Sequence, residues 1–302
     1  MTGTKIVVKR DYFDEHSFMK YAILSMDIED WYHLDYFNQD DCDKNYSMLD
    51  GIDVFRQILS SYNIKGNFFV VGELARSYKN LINELILDCH DIGYHSWSHI
   101  RPLTLSTSDY YESLVNSKKD FENIIGKQVL GYRAPCFSMD RERLNIVKDV
   151  NFRFDSSLIS FSKHSLYGNI NMDGFDMISP NIYLMDEFIE FEVSTHNVFG
   201  KNIPVSGGGY LRIFPWQVMS QLVRQYLREN ELYTMYIHPF ELSRKNNPKF
   251  PKSTQWYNKI RFKYGRHNTI KKLDLLIKLI LDEGYSIITF TELIKIISKN
   301  KT

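Results

Sequence analysis

Two histidines spaced four residues apart are the first side chains in this sequence whose types and spacing could carry out chemistry. The stretch HDIGYHSWSH, residues 90–99, contains His90, His95 and His99. In a helical turn, a spacing of four places His95 and His99 on one face. Such a pair can bind a metal ion, transfer protons or begin a polar helix, and the pair alone leaves these three alternatives open.

A cluster of carboxylates follows the first apolar run of the chain. The segment SMDIED contributes Asp27, Glu29 and Asp30. Taken alone, such a cluster is more often a solvent-facing turn in which one acid caps a helix. Clustered carboxylates repel one another, however, and a cation between them removes that repulsion. In an extended strand, Asp27 and Glu29 point to the same side.

A carboxylate that meets both histidines would complete a metal site. Two imidazoles and one carboxylate oxygen suit Zn²⁺ or another first-row divalent ion, with positions left for water and substrate. An ion held in this way polarises a carbonyl group and activates water. The glutamate of the HExxH proteases is absent, so the pair His95 and His99 does not indicate that class.

Three more polar side chains complete the set of candidates. The guanidinium of Arg133, in YRAP, can hold a carboxylate in a fixed orientation. FDSS offers Asp155 and YIHP offers His238. An Asp–His pair keeps an imidazole in the protonated form that donates to a leaving group. The structural alternatives are an ordinary ion pair for Arg133 and a capping or core histidine for His238.

Short apolar runs alternate with helical patterns, which predicts βαβ units and an α/β fold. The predicted strands are 21–28, 66–72, 91–96, 130–135, 152–157, 188–194 and 232–239. The predicted helices are 52–63, 77–90, 106–126, 140–151, 215–230 and 271–285, and a strand and a helix close the chain over 286–297. Residues 160–210 are predicted to be irregular, with short β runs.

The candidate residues recur directly after predicted strands. They are Asp27–Asp30, His95, Arg133, Asp155 and His238. In (β/α) barrels, the loops at the carboxyl ends of the strands build the active site. Five separate elements that deliver polar groups to one kind of location therefore indicate an enzyme.

Composition excludes some functions. The chain has 302 residues, and its Lys+Arg and Asp+Glu counts are both 37, so the zero net charge argues against nucleic-acid binding. The basic cluster NKIRFKYGRHNTIKK, residues 258–272, is interpreted as a solvated face or loop. No apolar run is long enough for a signal sequence or a membrane-spanning helix.

The cysteines indicate the compartment. Cys42, Cys89 and Cys136 are odd in number and lack CxxC spacing, which predicts free thiols in a reducing environment. We therefore expect a soluble cytoplasmic protein. No linker divides the chain, so we expect an N-terminal extension over residues 1–20 and one catalytic domain over 21–302.

In this order the motifs resemble the polysaccharide deacetylase family, also called carbohydrate esterase family four or the nodulation-type deacetylase homology domain. HSWSH matches the family pattern H-[ST]-x-x-H, RAP matches R-x-P, and Asp155 and His238 match single residues of later motifs. GNFFVVGELA is similar to the family strand ATFFV. The resemblance covers residues 21–297. SMDIEDWYH, GYRAPCFS, FDSSL, GGGYLRIFP and YIHPFE resemble a subgroup found in exopolysaccharide and surface-glycan loci.

The resemblance implies a fold and an activity. The implied fold is a single-domain, distorted (β/α) barrel with seven units. The implied activity is metal-dependent removal of an N-acetyl group from an amino sugar of a bacterial surface polysaccharide or its precursor. In this reading Asp27 is the general base, Arg133 orients it, His238 is the general acid and Asp155 tunes His238.

The resemblance also implies the ligands of a divalent ion, expected to be Zn²⁺. His95 and His99 supply two of them. The common family form has two adjacent aspartates, the base first and the ligand second, but an isoleucine follows Asp27 here. Glu29 is therefore the candidate carboxylate ligand, and Asp30 replaces it if the chain turns earlier. His90 lies outside the pair, at a helix end, and is predicted to be structural.

Two other functions remain open at this point. The chain could be an amidohydrolase of the same fold that acts on a non-sugar amide or a formyl group. It could also be a catalytically silent homologue that binds glycans. The partner is an N-acetylated sugar or glycan in the favoured reading, and the sequence does not specify an oligomeric state.

Overall fold

The structure is a computed structural model that describes residues 19–161 and 164–299. The predicted N-terminal extension, residues 1–20, lies outside the described residues apart from its last two positions. Within the described ranges, no helix combines the length and the apolar character that crossing a bilayer requires.

Strands and helices alternate along most of the chain, as the apolar periodicity predicts. In the described part, the strands are β1 (Tyr21–Ile28), β2 (Asn67–Val70), β3 (Asp91–Tyr94), β4 (Gly131–Tyr132), β5 (Phe154–Asp155), β6 (Asp176–Ser179), β7 (Ile182–Met185), β8 (Phe188–Phe191), β9 (Thr195–Val198), β10 (Lys201–Pro204), β11 (Leu232–Ile237) and β12 (Ser286–Ile287). The α-helices of the same ranges are α1 (Asp50–Ser61), α2 (Gly72–Ser77), α3 (Lys79–Leu87), α4 (Thr107–Ile125), α5 (Arg141–Asp149), α6 (Gly208–Ile213), α7 (Trp216–Glu229), α8 (Pro239–Leu242), α9 (Trp256–Lys263), α10 (Arg266–Asp282) and α11 (Phe290–Lys299).

Seven strands form a parallel core, in the order β11-β1-β2-β3-β4-β5-β8. Beyond β8 the sheet continues through the antiparallel strands β7 and β6. The first and last parallel strands approach each other, because the backbone N–H of Ser194, after β8, donates to the carbonyl of Thr234 in β11 at 3.2 Å. The fold is therefore α/β with a parallel core of the distorted barrel type, which confirms the predicted fold class.

The strand β1 shows which side of the sheet carries the candidate residues. Its even-numbered side chains, from Ala22 to Ile28, pack in the large core between the sheet and the surrounding helices. Tyr21 and Ile23 belong to a second cluster on the other side, inside the barrel. Because successive side chains of a strand alternate, Asp27 continues this inner row. The barrel interior thus becomes polar towards the carboxyl end of β1.

Aromatic rings fill the barrel below the candidate residues. The ring of Phe290, from α11, lies 4.8 to 5.9 Å from the rings of Phe69, Phe154 and Phe191. The guanidinium of Arg133 stacks above this layer, with its central carbon 4.2 Å from the centroid of the Phe69 ring. Such contacts between a cation and an aromatic face are favourable, and more so when both are desolvated. The layer of aromatic rings therefore packs directly against Arg133, the first charged side chain above it in the barrel interior.

Capping residues account for both ends of helix α4. The Ser106 side chain accepts a hydrogen bond from the backbone N–H of Asp109, so it caps the amino end. At the other end Gly126 adopts a left-handed conformation, with φ of 71°, and its N–H bonds to the carbonyl of Glu122. Both ends agree with the helix predicted over 106–126.

Two local predictions are wrong, and one helix was not predicted. The helix predicted over 77–90 is α3, but α2 before it was not expected; Tyr78, with φ of −120° and ψ of 37°, separates the two. The glycine-rich segment 206–210, predicted to be irregular, starts helix α6 instead. The segment that joins His95 to His99 is a loop rather than a helical turn, since Ser96 and His99 have φ of 62° and 58°.

Candidate active site

Glu29, His95 and His99 form a buried cluster at the carboxyl ends of β1 and β3. One ligand atom from each of the three residues lies within 4.8 Å of the other two. Oε2 of Glu29 is 2.5 Å from Nε2 of His99, and both side chains are almost fully buried. The two histidines meet through the left-handed loop conformation at Ser96 and His99 and not through helical periodicity.

The orientation of His95 is fixed by a neighbouring strand. Its backbone N–H bonds to the carbonyl of Val70, and its ring Nδ1 lies 2.8 Å from the carbonyl of Arg133. A carbonyl only accepts, so Nδ1 carries the proton and the lone pair of Nε2 is directed away from that bond. A metal-binding histidine is commonly oriented by such a bond from its other ring nitrogen.

The electrostatics of the cluster fit a bound cation. Burial raises the pKa of Glu29, but the imidazoles of His99 and His238 outweigh burial and hold that pKa well below its ordinary value. Burial lowers the pKa of His95 to about 4. Nδ1 of His99 is buried and has no hydrogen-bond partner among the described residues. A charged carboxylate beside a neutral imidazole is the donor set that Zn²⁺ and similar ions take.

Asp30 does not lie with this cluster. Its Oδ1 accepts hydrogen bonds from the backbone N–H groups of Trp31 and Met48, both at 2.8 Å. Asp30 therefore caps the short helical turn Trp31–His33, which is the structural alternative that the sequence left open for one of the acids. The prediction of Asp30 as an alternative ligand is not supported, because both of these N–H groups draw its carboxylate into the cap.

Asp27 is held by a buried arginine. Nη1 of Arg133 donates to Oδ1 of Asp27 at 2.8 Å and to Oγ of Ser25 at 2.7 Å. Nε and Nη2 of the same guanidinium donate to the carbonyl and to the Oγ of Ser156, each at 3.0 Å. Arg133 is fully buried, so these bonds satisfy a charge that has no access to water. The arrangement fixes the position of the Asp27 carboxylate, as the sequence predicts.

His238 follows β11 and is paired with Glu241. Oε2 of Glu241 accepts from the backbone N–H of His238 at 3.0 Å and lies 3.1 Å from its ring Nδ1. Nε of Arg212 donates to the other oxygen of Glu241 at 2.8 Å. Burial lowers the pKa of His238, but Glu241 and Glu29 together raise it to about 9. Nε2 of His238 lies 3.4 Å from Oε1 of Glu29, so the protonated imidazole faces the cluster.

The predicted pairing of Asp155 with His238 is wrong. Asp155 accepts from the backbone N–H of Ser157 at 2.8 Å and from its Oγ at 2.9 Å. Its carboxyl lies against that of Glu190, and burial next to Asp155 raises the pKa of Glu190 well above its ordinary value. The strand β5, which carries Asp155, pairs with β4 and β8 and not with β11. The sheet order, which the sequence does not reveal, therefore gives His238 a different carboxylate.

A cleft of about 720 Å³ opens above these groups. Asp27, Glu29, His95, His99 and His238 all line it. Its remaining wall is rich in aromatic side chains: Tyr36, Phe137, Tyr167, Tyr210, Tyr236 and Phe240. Aromatic rings with polar edges suit a ligand that has both apolar faces and hydroxyl groups. The character of the cleft wall therefore suits a sugar ring.

Sequence reasoning missed Ser25, Ser156, Arg212 and Glu241. Glu241 carried a signal, because the segment HPFE places a glutamate three residues after His238 with proline at the first helical position. This spacing is typical of a helix start in which the third residue bonds back to the cap. Arg212 carried no such signal, since its bond to Glu241 joins segments that are 29 residues apart.

The fold and the site together define an α/β protein of the barrel type with a carboxylate–imidazole site at the carboxyl ends of its strands. Residues 40–154 match the family model described as polysaccharide deacetylase. Over this part, the chain is similar to the polysaccharide deacetylase family. Residues 156–286 match a second model, described as a domain of unknown function (DUF3473).

Curated relatives are similar over about a third of the chain. A peptidoglycan deacetylase of Helicobacter pylori is 21% identical over 109 residues, which cover 36% of this chain and 37% of that protein. The peptidoglycan-N-acetylglucosamine deacetylase of Bacillus cereus is 23% identical, over 31% of this chain and 34% of its own length. A chitin deacetylase of Pestalotiopsis is 26% identical, over 32% and 33%. The match therefore spans little more than a third of each of these relatives.

Solved structures support the fold over nearly the whole chain. A crystal structure from Mycobacterium smegmatis, assigned to the polysaccharide deacetylases, has a TM-score of 0.61 and 14% identity and covers 96% of this chain and 94% of its own. A carbohydrate esterase family 4 pseudoenzyme of Bacillus anthracis has a TM-score of 0.50 and 15% identity, over 91% of this chain and 66% of its own. At these identities the likeness concerns the fold alone.

Proposed function

We propose that this protein hydrolyses the N-acetyl group of an amino sugar in a surface polysaccharide or its precursor, and releases acetate and a free amine. One observation carries the proposal. In a chain that matches the polysaccharide deacetylase model over residues 40–154, Asp27 and His238 line the same cleft as the cluster of Glu29, His95 and His99. A base, an acid and a ligand set are the groups that hydrolysis of an amide requires.

Glu29, His95 and His99 are the residues that would hold a divalent ion. Their fit rests on the approach of the three ligand atoms to within 4.8 Å of one another and on the lone pair of Nε2 in His95, which points away from the bond at Nδ1. A divalent ion bound by these residues supplies Lewis-acid polarisation of the acetamide carbonyl and activation of a water molecule. Zn²⁺ is our first expectation, since it favours two imidazoles and a carboxylate.

Asp27 accepts the proton of the attacking water. The bond from Arg133 goes to Oδ1 of Asp27, and the Asp27 side chain lines the cleft. Because Arg133 also bonds to Ser25 and Ser156, the carboxylate is held in one orientation and does not need to be ordered when the substrate arrives. Arg133 is in this account a positioning residue for Asp27.

His238 donates a proton to the departing amine nitrogen. Glu241 holds Nδ1 of His238, which directs the Nε2–H into the cleft. Arg212 holds Glu241 in turn. Its Nη1 donates to the carbonyls of Phe262 and Tyr264, at the carboxyl end of α9. Glu241 thus takes the positioning role that the sequence resemblance assigned to Asp155.

The names of the relatives support a glycan as substrate, since they describe deacetylases of peptidoglycan and of chitin. The cleft wall of tyrosine and phenylalanine side chains agrees with this class. Cys42, Cys89 and Cys136 are all free thiols, which supports the predicted reducing, cytoplasmic compartment. A precursor glycan on the cytoplasmic side then fits better than a finished wall polymer.

Acetate release from N-acetylglucosamine oligomers tests the proposal. We expect the wild type to release acetate, a chelator to abolish the release and added Zn²⁺ to restore it. Asp27→Asn lowers kcat by about 10²- to 10⁴-fold, since it removes the base. Parallel assays on simple acetamides and on formyl amides separate a sugar deacetylase from a general amidohydrolase. Binding of the oligomers without turnover, in metal-loaded protein, would show a silent homologue instead.

A second comparison separates the two candidate partners of His238. We expect Glu241→Gln to lower kcat and leave KM unchanged, because it weakens the orientation of His238 without touching the sugar. Asp155→Asn is the matched control, since its carboxyl bonds to Ser157 and lies against Glu190. A loss of kcat that is larger for Asp155→Asn than for Glu241→Gln would contradict this assignment.

A further inference from the structure

The longest basic segment of the chain plays no part in the proposed hydrolysis. Residues 242–273 contain ten lysines and arginines and neither aspartate nor glutamate, although the whole chain has zero net charge. The segment forms a loop, the helix α9 (Trp256–Lys263) and the start of α10. A positive charge of this density in a neutral protein indicates a partner with negative charge.

Helix α9 presents its apolar side to solvent. Phe262 is fully buried and fixes the inner face of the helix. Trp256 is 71% exposed, Tyr257 and Ile260 are each 54% exposed, and Tyr264, directly after the helix, is 58% exposed. With about 100° between successive residues, these four lie within about a third of the helix circumference. A soluble helix normally turns such a stripe towards the core, so this face is suited to contact with something else.

Cations border this apolar stripe on both sides. The same helical geometry places Lys259 and Lys263 on one flank and Arg261 on the other. Lys249 and Lys252, in the preceding loop, are also exposed. We call the four apolar residues together with Lys259 and Lys263 the α9 surface.

Two carboxylates from other parts of the chain accept hydrogen bonds from the loop that precedes α9. Asp50 accepts hydrogen bonds from the Oγ of Ser243 and the backbone N–H of Arg244, and Asp41 accepts from Ser253. These contacts fix the loop to the body of the protein. The described ion pairs of the chain include none with Lys259 or Lys263.

We propose that the α9 surface seats the protein on a lipid bilayer that carries anionic headgroups. Tryptophan and tyrosine are the residues that favour the interface between headgroups and acyl chains, and lysines around them attract anionic lipids. A nucleic acid would require cations at the centre of the surface, where Trp256 and Ile260 lie instead. A neutral glycan would stack on the rings but gives no reason for the surrounding charge.

This seating places the cleft close to the bilayer. Arg261, on the flank of α9, also lines the cleft, and its guanidinium stacks over the ring of Tyr36, another lining residue, at 4.7 Å. Taken together with the proposed deacetylation, on which this step rests, the position indicates a glycan that is attached to a lipid carrier. The bilayer contact itself does not depend on the deacetylation.

Vesicle flotation and tryptophan fluorescence test the contact with the intact chain. The probes are vesicles of phosphatidylcholine with phosphatidylglycerol and vesicles of phosphatidylcholine alone. We expect flotation with the anionic vesicles only. We also expect a blue shift of the emission, which Trp256→Phe abolishes without loss of flotation, because Trp256 is the exposed tryptophan of the chain.

Two variants and one control assign the contact to the α9 surface. Trp256→Ser combined with Ile260→Ser lowers the partition coefficient more than tenfold. Lys259→Gln combined with Lys263→Gln lowers it by about 25-fold, at roughly a factor of five for each lysine. The matched control is Leu87→Ser, which removes an equally apolar side chain, 80% exposed, from the end of α3 and leaves flotation unchanged.

The outcomes separate this proposal from its rivals. Absence of wild-type flotation, equal flotation with both kinds of vesicle, or an equal loss in Leu87→Ser would overturn it. Quenching of Trp256 by chitin oligomers in the absence of any vesicle binding would replace the bilayer with a glycan. Flotation without acetate release leaves the bilayer contact intact and refutes the deacetylation, so the two proposals fail separately.

Discussion

The ion pair between Arg133 and Asp27 gives the most exacting prediction. Both side chains are buried, and the guanidinium makes four hydrogen bonds, to Asp27, to Ser25 and twice to Ser156. Arg133→Met removes all of them and leaves the Asp27 carboxylate uncompensated. Breaking a buried pair from one side costs about 3–5 kcal/mol of unfolding free energy. We expect a loss in the upper half of this range, because the three other acceptors of Arg133, on Ser25 and Ser156, also lose their donor.

A double-mutant cycle isolates the pair itself. Asp27→Asn keeps an oxygen that accepts from Arg133 but removes the charge. In the variant with both substitutions neither charge of this pair remains. The combined loss is therefore smaller than the sum of the two single losses. We expect the difference to be about 2 kcal/mol, the range of a charge-assisted hydrogen bond.

Urea unfolding followed by circular dichroism measures these free energies, in a buffer with a chelator so that bound ions do not contribute. The pair Lys278 and Asp274 is the control, since it has a similar distance of 2.7 Å but lies exposed on α10. Its cycle is expected to yield about 0.5 kcal/mol or less. A coupling for Arg133 and Asp27 no larger than this value would refute the reasoning.

Three further changes have expected outcomes. Glu190→Gln stabilises the fold at pH 8, because burial next to Asp155 raises the pKa of Glu190 and makes its ionised form unfavourable in the folded state. The wild type keeps its full stability below pH 4.5 and loses part of it as pH rises, so the gain should vanish near pH 4. Burial lowers the pKa of His90 to about 4. Through this residue the wild type loses about 2 kcal/mol of unfolding free energy between pH 7 and 5, and His90→Asn does not have this loss. Both are measured by urea unfolding across pH, and parallel curves for wild type and variant would contradict either. Gly51→Ala, normally favourable in a helix, lowers the melting temperature by several degrees because the new Cβ would lie 1.9 Å from the carbonyl oxygen of Pro239; an unchanged melting temperature would show that α1 and α8 can separate freely.

Predictions that depend on local chain geometry were accurate. The period of two along a strand predicted that Asp27 and Glu29 point to the same side, and both line the cleft; the capping residues set both ends of α4. His90 is structural, as expected, since its Nδ1 accepts from the backbone N–H of Gly66 in a packed region. In these cases the deciding interactions lie within a few residues of one another or follow from a single repeat.

Predictions that depend on distant contacts were less accurate. The partner of His238 is decided by the order of strands in the sheet, which puts β11 beside β1 and not beside β5, the strand that carries Asp155. The meeting of His95 and His99 depends on left-handed backbone at a serine and a histidine, for which neither residue type is a signal. The assignment of Asp30 to a cap needed Met48, which lies 18 residues away.

The boundary between the two matched family regions has a consequence for how such a protein can evolve. It falls next to Asp155, in the middle of the barrel, and β11 from the second region pairs with β1 along six residues. The first region holds the histidine pair and Arg133, the second holds His238, and Asp27 and Glu29 precede both. Neither region is complete by itself, because β1 with Asp27 lies before both of them and the other parallel strands are divided between the two. A gene fusion or loss at this boundary would remove fold and chemistry together, so the two regions are bound to be inherited as a unit.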